Sequence, residues 1–306
     1  MNKTLVTILS MLIGIVLKAQ CLPDYGYPTQ QLQLDSARIS YIDQGRGMPL
    51  VMIHGLGGNA AHWKRNIGVL SASYRCIAMD LPGYGGSTVL NRIDASTQLD
   101  FYAEKIAAML GQLKINKAIV MGHSMGGQIA MILALKYPLL VSKLILVAPA
   151  GLETFTPAEA GIITNYATAD FYEKQDSISI ENSYRMNFHQ MPEEAVSLVR
   201  ERIAMKQCKN FAAYCAQIPL GIKGMLGYSL QGKLPDIVQP TLILFGTTDA
   251  LIPNRVLHPG LTVAAVADIA KQIPNNKIIL INEAGHLVQF EKPAIVNQTI
   301  LQFIHQ

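Results

Sequence analysis

Short apolar runs alternate with segments of helical periodicity through most of this chain, and this alternation restricts its fold more than any other feature. An apolar run of strand length with no polar face is typical of a strand covered on both sides. The runs occupy residues 50–53, 76–79, 118–121, 144–147, 242–245 and 277–281. The helical segments are 98–113, 127–137, 261–272 and 293–304. The pattern predicts an α/β fold, with a mostly parallel, doubly wound sheet flanked by helices and preceded by a hairpin of residues 31–34 and 37–42.

The alternation stops at Gly151 and resumes near Pro240. We predict that residues 152–232 form a helical cap, or lid, inserted into a core domain of residues 21–151 and 233–306. Helices are expected at 158–167 and 192–207 of this inserted segment. Some of its apolar side chains are expected to line a substrate pocket, and most to fill the segment's own core. The candidates are Tyr166, Phe171, Tyr184, Met186, Phe188, Met205, Phe211, Tyr214, Met225 and Tyr228.

Ser124 lies in the pattern Gly122-x-Ser124-x-Gly126, between a predicted strand and a predicted helix. A sharp strand-to-helix turn exposes the serine hydroxyl, directs the positive end of the helix toward it and offers the next N–H to a developing oxyanion. Glycines two positions to either side relieve the crowding that such a turn creates. Ser124 is therefore the candidate nucleophile.

Asp249 and His286 follow the last two predicted strands, where an open α/β sheet collects its ligands. An imidazole can accept the serine proton and return it, and a carboxylate behind the imidazole fixes its tautomer. The chain order Ser124, Asp249, His286 is the order expected of such residues on this type of sheet. We predict these three residues as the catalytic set.

An oxyanion needs at least two donors, and the predicted ones are the N–H groups of Leu56 and Met125. Leu56 belongs to the sequence HGLGG at 54–58, directly after a predicted strand. His54 and Gly55 are expected to shape this loop, and His123 the turn around the serine. The remaining histidines show no metal-ligand spacing, so no chemistry and no metal are assigned to them. They are His62, His189, His258 and His305.

Together these motifs resemble the α/β-hydrolase superfamily, and the resemblance spans nearly all of residues 21–306. It rests on HGLGG at 54–58, DLPGYGGS at 80–87, and the segments around Ser124, Asp249 and His286. It implies a capped, esterase- or lipase-like serine hydrolase that needs no cofactor. Serine at position 124 argues against the haloalkane dehalogenase and epoxide hydrolase members, which have aspartate there. We predict cleavage of an apolar carboxylic ester. Alternatives on the same residues are a C–C bond hydrolase of a diketone-like ring-cleavage product, a lactonase or an amidase.

Two rival functions belong to other classes. Residues 55–60 fit the dinucleotide-binding pattern G-x-G-x-x-A after a strand, and Asp80 ends the next strand. That interpretation leaves Ser124, Asp249 and His286 unexplained. The second rival is a non-catalytic binding module on the same fold, against which the presence of all three residues argues.

The first 20 residues predict an export signal, with Lys3 followed by an apolar stretch at 5–17 that is too short to span a membrane comfortably. We expect a periplasmic or secreted protein. Removal of the signal takes away Lys3 and Lys18, two of the 25 basic residues. The mature chain then has 23 basic and 21 acidic residues, so its net charge is close to zero. This balance gives no indication of nucleic-acid binding.

The four cysteines show neither metal-site spacing nor the pattern of a disulfide framework. Cys76 falls in a predicted strand, and Cys208 and Cys215 are too far apart on one helix to be bridged, so these three are predicted to be core residues. Cys21 would begin the mature chain. A lipid anchor at Cys21 is an alternative to free export, and membrane association depends on it, but Lys18 and Gln20 fit a lipoprotein cleavage site poorly.

Overall fold

The computed structural model describes residues 21–35, 37–88 and 98–306, so the predicted export signal lies outside the described residues. The described part forms an eight-stranded sheet in the order β1-β2-β4-β3-β5-β6-β7-β8. The strands are β1 (Thr29–Leu34), β2 (Ala37–Gln44), β3 (Pro49–Ile53), β4 (Arg75–Met79), β5 (Ala118–His123), β6 (Val141–Val147), β7 (Thr241–Gly246) and β8 (Asn276–Ile281).

The strand pairings confirm the predicted α/β sheet. β1 and β2 form the expected antiparallel hairpin, and β2 joins β4 antiparallel. From β4 to β8 all neighbours run parallel. From β3 the chain passes to β4 on one side, and from β4 it crosses back over β3 to β5 on the other side. The direction of winding therefore reverses between β3 and β5. Crevices at such reversals, at the carboxyl ends of the strands, are where open α/β sheets bind ligands.

Helices connect the parallel strands and cover both faces of the sheet. They are α1 (Lys64–Leu70), α2 (Gln98–Gln112), α3 (Met125–Lys136), α4 (Pro157–Tyr166), α5 (Ala169–Lys174), α6 (Ser177–Arg185), α7 (Val196–Met205), α8 (Phe211–Gly227), α9 (Val263–Ile269), α10 (Val288–Glu291) and α11 (Pro293–Ile304). The helix predicted at 261–272 is shorter, because the Thr262 side chain caps α9 by accepting the Ala265 N–H and a 3₁₀ turn, Ala270–Gln272, ends it.

Alternate side chains of strands β3 to β7 enter two separate apolar cores. The edge strand β8 was also predicted to be covered on both sides, but it is only partly buried, because it has a neighbouring strand on one side only. In β3, Val51 and Ile53 belong to the core on one face of the sheet, whereas Leu50 and Met52 belong to the core on the other. All four are at most 1% exposed. Burial on both faces explains why the strands lack the alternation of polar and apolar residues that a half-exposed strand shows.

Helices α4 to α8 lie between β6 and β7, within the inserted segment. A capping box begins α4, in which Thr156 and Glu159 satisfy each other's backbone N–H groups. Thr168 and Asp176 cap α5 and α6 in the same region. These local signals explain why the segment breaks into short helices. No helix of the described part of the chain has the length and apolar character needed to cross a bilayer.

The cysteine prediction was wrong in one respect, because Cys21 and Cys208 form a disulfide. Their Cα atoms lie 5.7 Å apart although 187 residues separate them in the chain. Cys208 therefore ties the turn between α7 and α8 to the start of the described chain. Cys76 and Cys215 are free and buried, as expected of core residues.

Candidate active site

Ser124 stands on the turn between β5 and α3, and its backbone is in the left-handed region at φ 54°. Few non-glycine residues adopt this conformation, which is characteristic of functional turns held in place by their surroundings. A methyl group on Gly122 would lie 2.1 Å from the Gly126 carbonyl oxygen, and one on Gly126 would lie 2.3 Å from the Ile53 oxygen. Only glycine at both positions allows β3, β5 and α3 to meet this closely.

His286 and Asp249 are joined by a hydrogen bond between His286 Nδ1 and Asp249 Oδ2, 2.7 Å long. Asp249 follows β7 and His286 follows β8, as predicted from the strand ends. The other carboxylate oxygen, Oδ1, accepts the N–H groups of Leu251 at 2.8 Å and Ile252 at 3.0 Å. Asp249 is fully buried, and its oxygens are aimed by the backbone of its own loop.

Ser124 and His286 line the same cavity. The loop that carries His286 is held toward the serine by His123, whose Nε2 lies 3.0 Å from the His286 carbonyl oxygen. The two imidazole rings are 4.7 Å apart between centroids. Burial lowers the pKa of His123 well below its ordinary value, so this ring is neutral at physiological pH. His123 thus orients the loop that carries His286.

The loop after β3 reaches the cavity with Gly55, Leu56 and Gly57. The Gly55 carbonyl oxygen lies 2.8 Å from His54 Nδ1 and accepts the Gly58 N–H at 3.1 Å. His54 Nε2 accepts the Leu81 N–H at 3.0 Å, so both ring nitrogens are engaged by backbone. Burial lowers the pKa of His54 to about 4. His54 has the loop-shaping contacts expected from its position.

Met125 is fully buried at the first position of α3, directly after Ser124. The backbone N–H groups at the start of a helix have no partner within the helix and carry partial positive charge. Leu56 follows β3, and Met125 follows Ser124 at the end of β5, the neighbouring parallel strand.

Asp80 does not have the environment of a ribose-binding acid. The carboxylate is fully buried and accepts the hydroxyl of Tyr25 and the N–H groups of Ala60 and Gly86, the latter two at 2.8 Å. Burial raises the pKa of Asp80 to about 6. These contacts give Asp80 a structural role in joining three loops.

Several polar residues of the cavity were not predicted from the sequence, and His62 and Arg202 are among them. His62 is 6% exposed, and neither of its ring nitrogens has a hydrogen-bond partner among the residues that the structure describes. Burial, together with the charge of Arg202, lowers the pKa of His62 to about 3. Arg202 Nε is likewise buried without a partner, while Nη2 donates to the Gly57 carbonyl. No local motif marks either residue. His62 lies in a 3₁₀ turn of the core, Ala60–Trp63, and packing of α7 brings Arg202 to the cavity.

The cavity encloses about 460 Å³ between the core and the inserted segment. Its wall is largely apolar, with Ile163, Tyr172, Ile218, Ile222 and Leu226 among the lining residues. Of the predicted pocket residues, Tyr184, Met225 and Tyr228 line it. Tyr166, Phe171 and Met186 are exposed instead, and Phe188, Phe211 and Tyr214 are buried in packing. Which aromatic residues face the cavity depends on helix orientation, which spacing alone does not set.

Three curated bacterial proteins are similar to most of this chain. One, the dihydrolipoyllysine-residue acetyltransferase component of the acetoin cleaving system of Pseudomonas putida, is 31% identical over 263 residues, which cover 85% of this chain and 64% of that protein. The (E)-2-((N-methylformamido)methylene)succinate hydrolase of Acinetobacter baylyi is 29% identical over an alignment that covers 89% of this chain and 96% of that protein. The pimeloyl-[acyl-carrier protein] methyl ester esterase of Vibrio campbellii is 29% identical over an alignment that covers 82% of this chain and 92% of that protein.

Among solved structures, a probable hydrolytic enzyme from Pseudomonas aeruginosa superimposes with a TM-score of 0.80 at 24% identity. The match covers 93% of this chain and 99% of that structure. The family model for the alpha/beta hydrolase fold matches residues 48–293, which include β3, Ser124, Asp249 and His286. The chain therefore belongs to the α/β-hydrolase family.

Proposed function

We propose that the protein is a serine hydrolase that cleaves a carboxylic ester with Ser124, His286 and Asp249. The observation that carries the proposal is the 2.7 Å hydrogen bond between His286 and Asp249, in a cavity that Ser124 also lines. Hydrolases among the similar proteins, one of them a methyl ester esterase, support the reaction class. The largely apolar cavity favours a substrate with an apolar acyl or alcohol group.

In the acylation step, His286 accepts the hydroxyl proton as Ser124 Oγ adds to the ester carbonyl carbon. The carbonyl π electrons move to oxygen, and the N–H groups of Leu56 and Met125 stabilise that charge. Collapse of the tetrahedral intermediate breaks the bond to the alcohol, which leaves with the proton from His286. Asp249 keeps the imidazole in the required tautomer and stabilises its protonated form.

In the deacylation step, His286 removes a proton from water as the water oxygen adds to the acyl carbon. The second tetrahedral intermediate releases the carboxylic acid and returns the proton to Ser124. The cycle regenerates the free enzyme and consumes one water per ester.

The direct test is hydrolysis of p-nitrophenyl esters from acetate to dodecanoate, with Ser124→Ala in parallel. We expect turnover that depends on the serine and a chain-length optimum set by the cavity. A Ser124→Ala variant that retained more than about 1% of the activity would contradict the assignment, because the nucleophile supplies a rate factor of many orders of magnitude. Labelling of Ser124 by a fluorophosphonate without ester turnover would instead favour C–C or amide bonds.

A second candidate is a hydrolase of carboxylate-bearing substrates that cleaves a C–C or amide bond. Arg202 favours it, because a permanent cation lines a largely apolar cavity, near His62. Among the described residues, neither Arg202 Nε nor the His62 ring has a hydrogen-bond partner. A similar protein named as a succinate derivative hydrolase supports it. The test compares a p-nitrophenyl half-ester of a dicarboxylic acid with a neutral ester of equal length. Arg202→Gln should lower that rate ratio about 10-fold or more, and the exposed Arg200→Gln should not.

We also propose that the protein is exported and that residues 1–20 are removed. The Cys21–Cys208 disulfide supports this, since such bonds persist in oxidising compartments. A sulfur bonded to Cys208 is not free to carry a thioether-linked lipid, so the disulfide argues against the anchored alternative. N-terminal sequencing of the protein from a periplasmic or culture fraction should give Cys21 as the first residue. Incorporation of a lipid probe at Cys21 would contradict this.

A further inference from the structure

One face of α8 lies against both residues proposed as oxyanion donors. A methyl group on Gly221 would lie 2.5 Å from Leu56 Cδ1 and 3.2 Å from Met125 Sδ, so the helix approaches both side chains closely. Two turns earlier on the same face, the Tyr214 hydroxyl donates to the Gly57 carbonyl at 2.9 Å. The inserted segment therefore touches the loop after β3 at successive points.

The Gly57 carbonyl is held by two donors, both from the inserted segment. Arg202 Nη2 donates to it alongside the Tyr214 hydroxyl. The guanidinium also lies over the Tyr214 ring, with 4.5 Å between Cζ and the ring centroid, so the two side chains support each other. A carbonyl oxygen has two lone pairs, and both are engaged here.

This contact reaches the proposed oxyanion donor through two peptide planes. The carbonyl of Gly57 and the N–H of Gly58 belong to one trans peptide and point in opposite directions. That N–H donates to the Gly55 carbonyl at 3.1 Å. The Gly55 carbonyl in turn shares a peptide plane with the N–H of Leu56. Holding the Gly57 carbonyl therefore acts together with His54 Nδ1, which lies 2.8 Å from the Gly55 carbonyl oxygen, to set the direction of the Leu56 N–H.

Glycine makes this relay dependent on outside support. Gly57 has φ +66°, and its peptide joins two glycines, which lack the side chains that normally restrict backbone rotation. Without a donor for the Gly57 carbonyl, rotation of that peptide would withdraw the Gly58 N–H, and the Gly55 carbonyl and the Leu56 peptide would be held by His54 Nδ1 alone. A donor on the inserted segment is therefore well placed to decide whether the loop keeps its orientation.

We propose that Tyr214, assisted by Arg202, is a positioning residue that orients the Leu56 N–H through the Gly57–Gly58 peptide. Docking of α8 then completes the oxyanion hole, so the inserted segment contributes to the chemical step as well as enclosing the substrate. The inference rests on the proposed function, because it assigns Leu56 as an oxyanion donor. Tyr214 does not touch the reacting atoms and is not a catalytic residue.

The test is Tyr214→Phe, which removes only the hydroxyl. The matched control is Tyr41→Phe, since Tyr41 is also buried and its hydroxyl also donates a 2.9 Å hydrogen bond, to Gln30 at the far edge of the sheet. We expect Tyr214→Phe to lower kcat about 10-fold with KM within about twofold, because misdirection of one oxyanion donor acts on the transition state. Tyr41→Phe should change neither constant.

A second measurement separates positioning from general loosening. In a thionoester, sulfur replaces the carbonyl oxygen and accepts hydrogen bonds poorly, so an intact oxyanion hole favours the oxoester. Tyr214→Phe should reduce the oxoester-to-thionoester rate ratio several-fold. Gly221→Ala, which displaces Leu56, should do the same. Gly227→Ala on the same helix meets no atom of the described part of the chain within 4 Å and should not. Unchanged kcat, or lower kcat with an unchanged ratio, would overturn the proposal.

Failure of the proposed ester hydrolysis can be told apart from failure of the positioning role of Tyr214. If the wild-type protein cleaves no ester but its Ser124 reacts with a fluorophosphonate, ester cleavage is wrong and the labelling rate replaces kcat, because the phosphonyl oxygen occupies the same site. A slower rate in Tyr214→Phe then supports the inference, and an equal rate overturns it. A wild-type Ser124 that never reacts overturns both proposals.

Discussion

His286 and Asp249 are joined through side chains that are 4% and 0% exposed, with 2.7 Å between Nδ1 and Oδ2. A charge-assisted hydrogen bond shielded from water holds the imidazole in one orientation and one tautomer. The carboxylate keeps a second set of bonds to its own loop, so it is positioned independently of the histidine.

Asp249→Asn should lower kcat by about 10³-fold or more while the protein stays folded. The amide oxygen can still accept the N–H groups of Leu251 and Ile252, but the amide group no longer stabilises the imidazolium. Steady-state kinetics and the melting temperature, measured on the same preparation, check this. A variant with more than about a tenth of the wild-type kcat would show that the carboxylate has no role in the reaction.

Gly126→Ala should destabilise the fold by about 3 kcal/mol, since the new methyl group would overlap the backbone of β3 at Ile53. Gly161→Ala in α4 is the matched control, because no atom of residues 21–35, 37–88 or 98–306 lies within 4 Å of its new methyl group. The control should raise the free energy of unfolding by about 0.5 to 1 kcal/mol through helix propensity alone. Denaturant titration of both variants decides between crowding and a general intolerance of alanine.

Glu201→Gln should stabilise the protein more at pH 8 than at pH 5. Burial raises the pKa of Glu201 from 4.5 to about 7, against the opposing effects of Lys64 and the Asp24 N–H. The folded state thus holds this proton more tightly than the unfolded state, so the free energy of unfolding falls as pH rises from about 4.5 to about 7. The uncharged amide removes that loss.

We expect the difference in free energy of unfolding between Glu201→Gln and wild type to increase between pH 5 and pH 8 by on the order of 1 to 2 kcal/mol. Urea unfolding at both pH values measures it. The exposed Glu193→Gln serves as control and should show no such change. An equal effect of Glu201→Gln at both pH values would mean that the carboxyl ionises alike in the folded and unfolded chain.

Reduction of the Cys21–Cys208 disulfide should lower the free energy of unfolding by about 2 to 4 kcal/mol, because the bond closes a long loop in the unfolded chain. Melting temperatures with and without a reductant give the effect, and Cys208→Ser should reproduce it. In the Cys208→Ser variant the reductant should have no further influence. Thiol titration of the denatured, unreduced protein should count two thiols, Cys76 and Cys215.

Local sequence determined the sheet, the turn at Ser124 and the order of Ser124, Asp249 and His286. Strand and helix periodicity depend on neighbouring residues, and the glycines of the turn are required by backbone atoms a few residues away or on the adjacent strand. The carboxyl ends of parallel strands share one edge of the sheet, so residues placed there by the pattern meet without further information.

Tertiary structure alone decided what the inserted segment contributes. Arg202 and Tyr214 donate hydrogen bonds to Gly57, and Cys208 is bonded to Cys21. These contacts join residues that are 145, 157 and 187 positions apart in the chain. The short helices of this segment have apolar residues on several sides, and their spacing does not specify which side faces the core. That choice is made by the combined packing of α7 and α8 on the loop after β3, which no local pattern encodes.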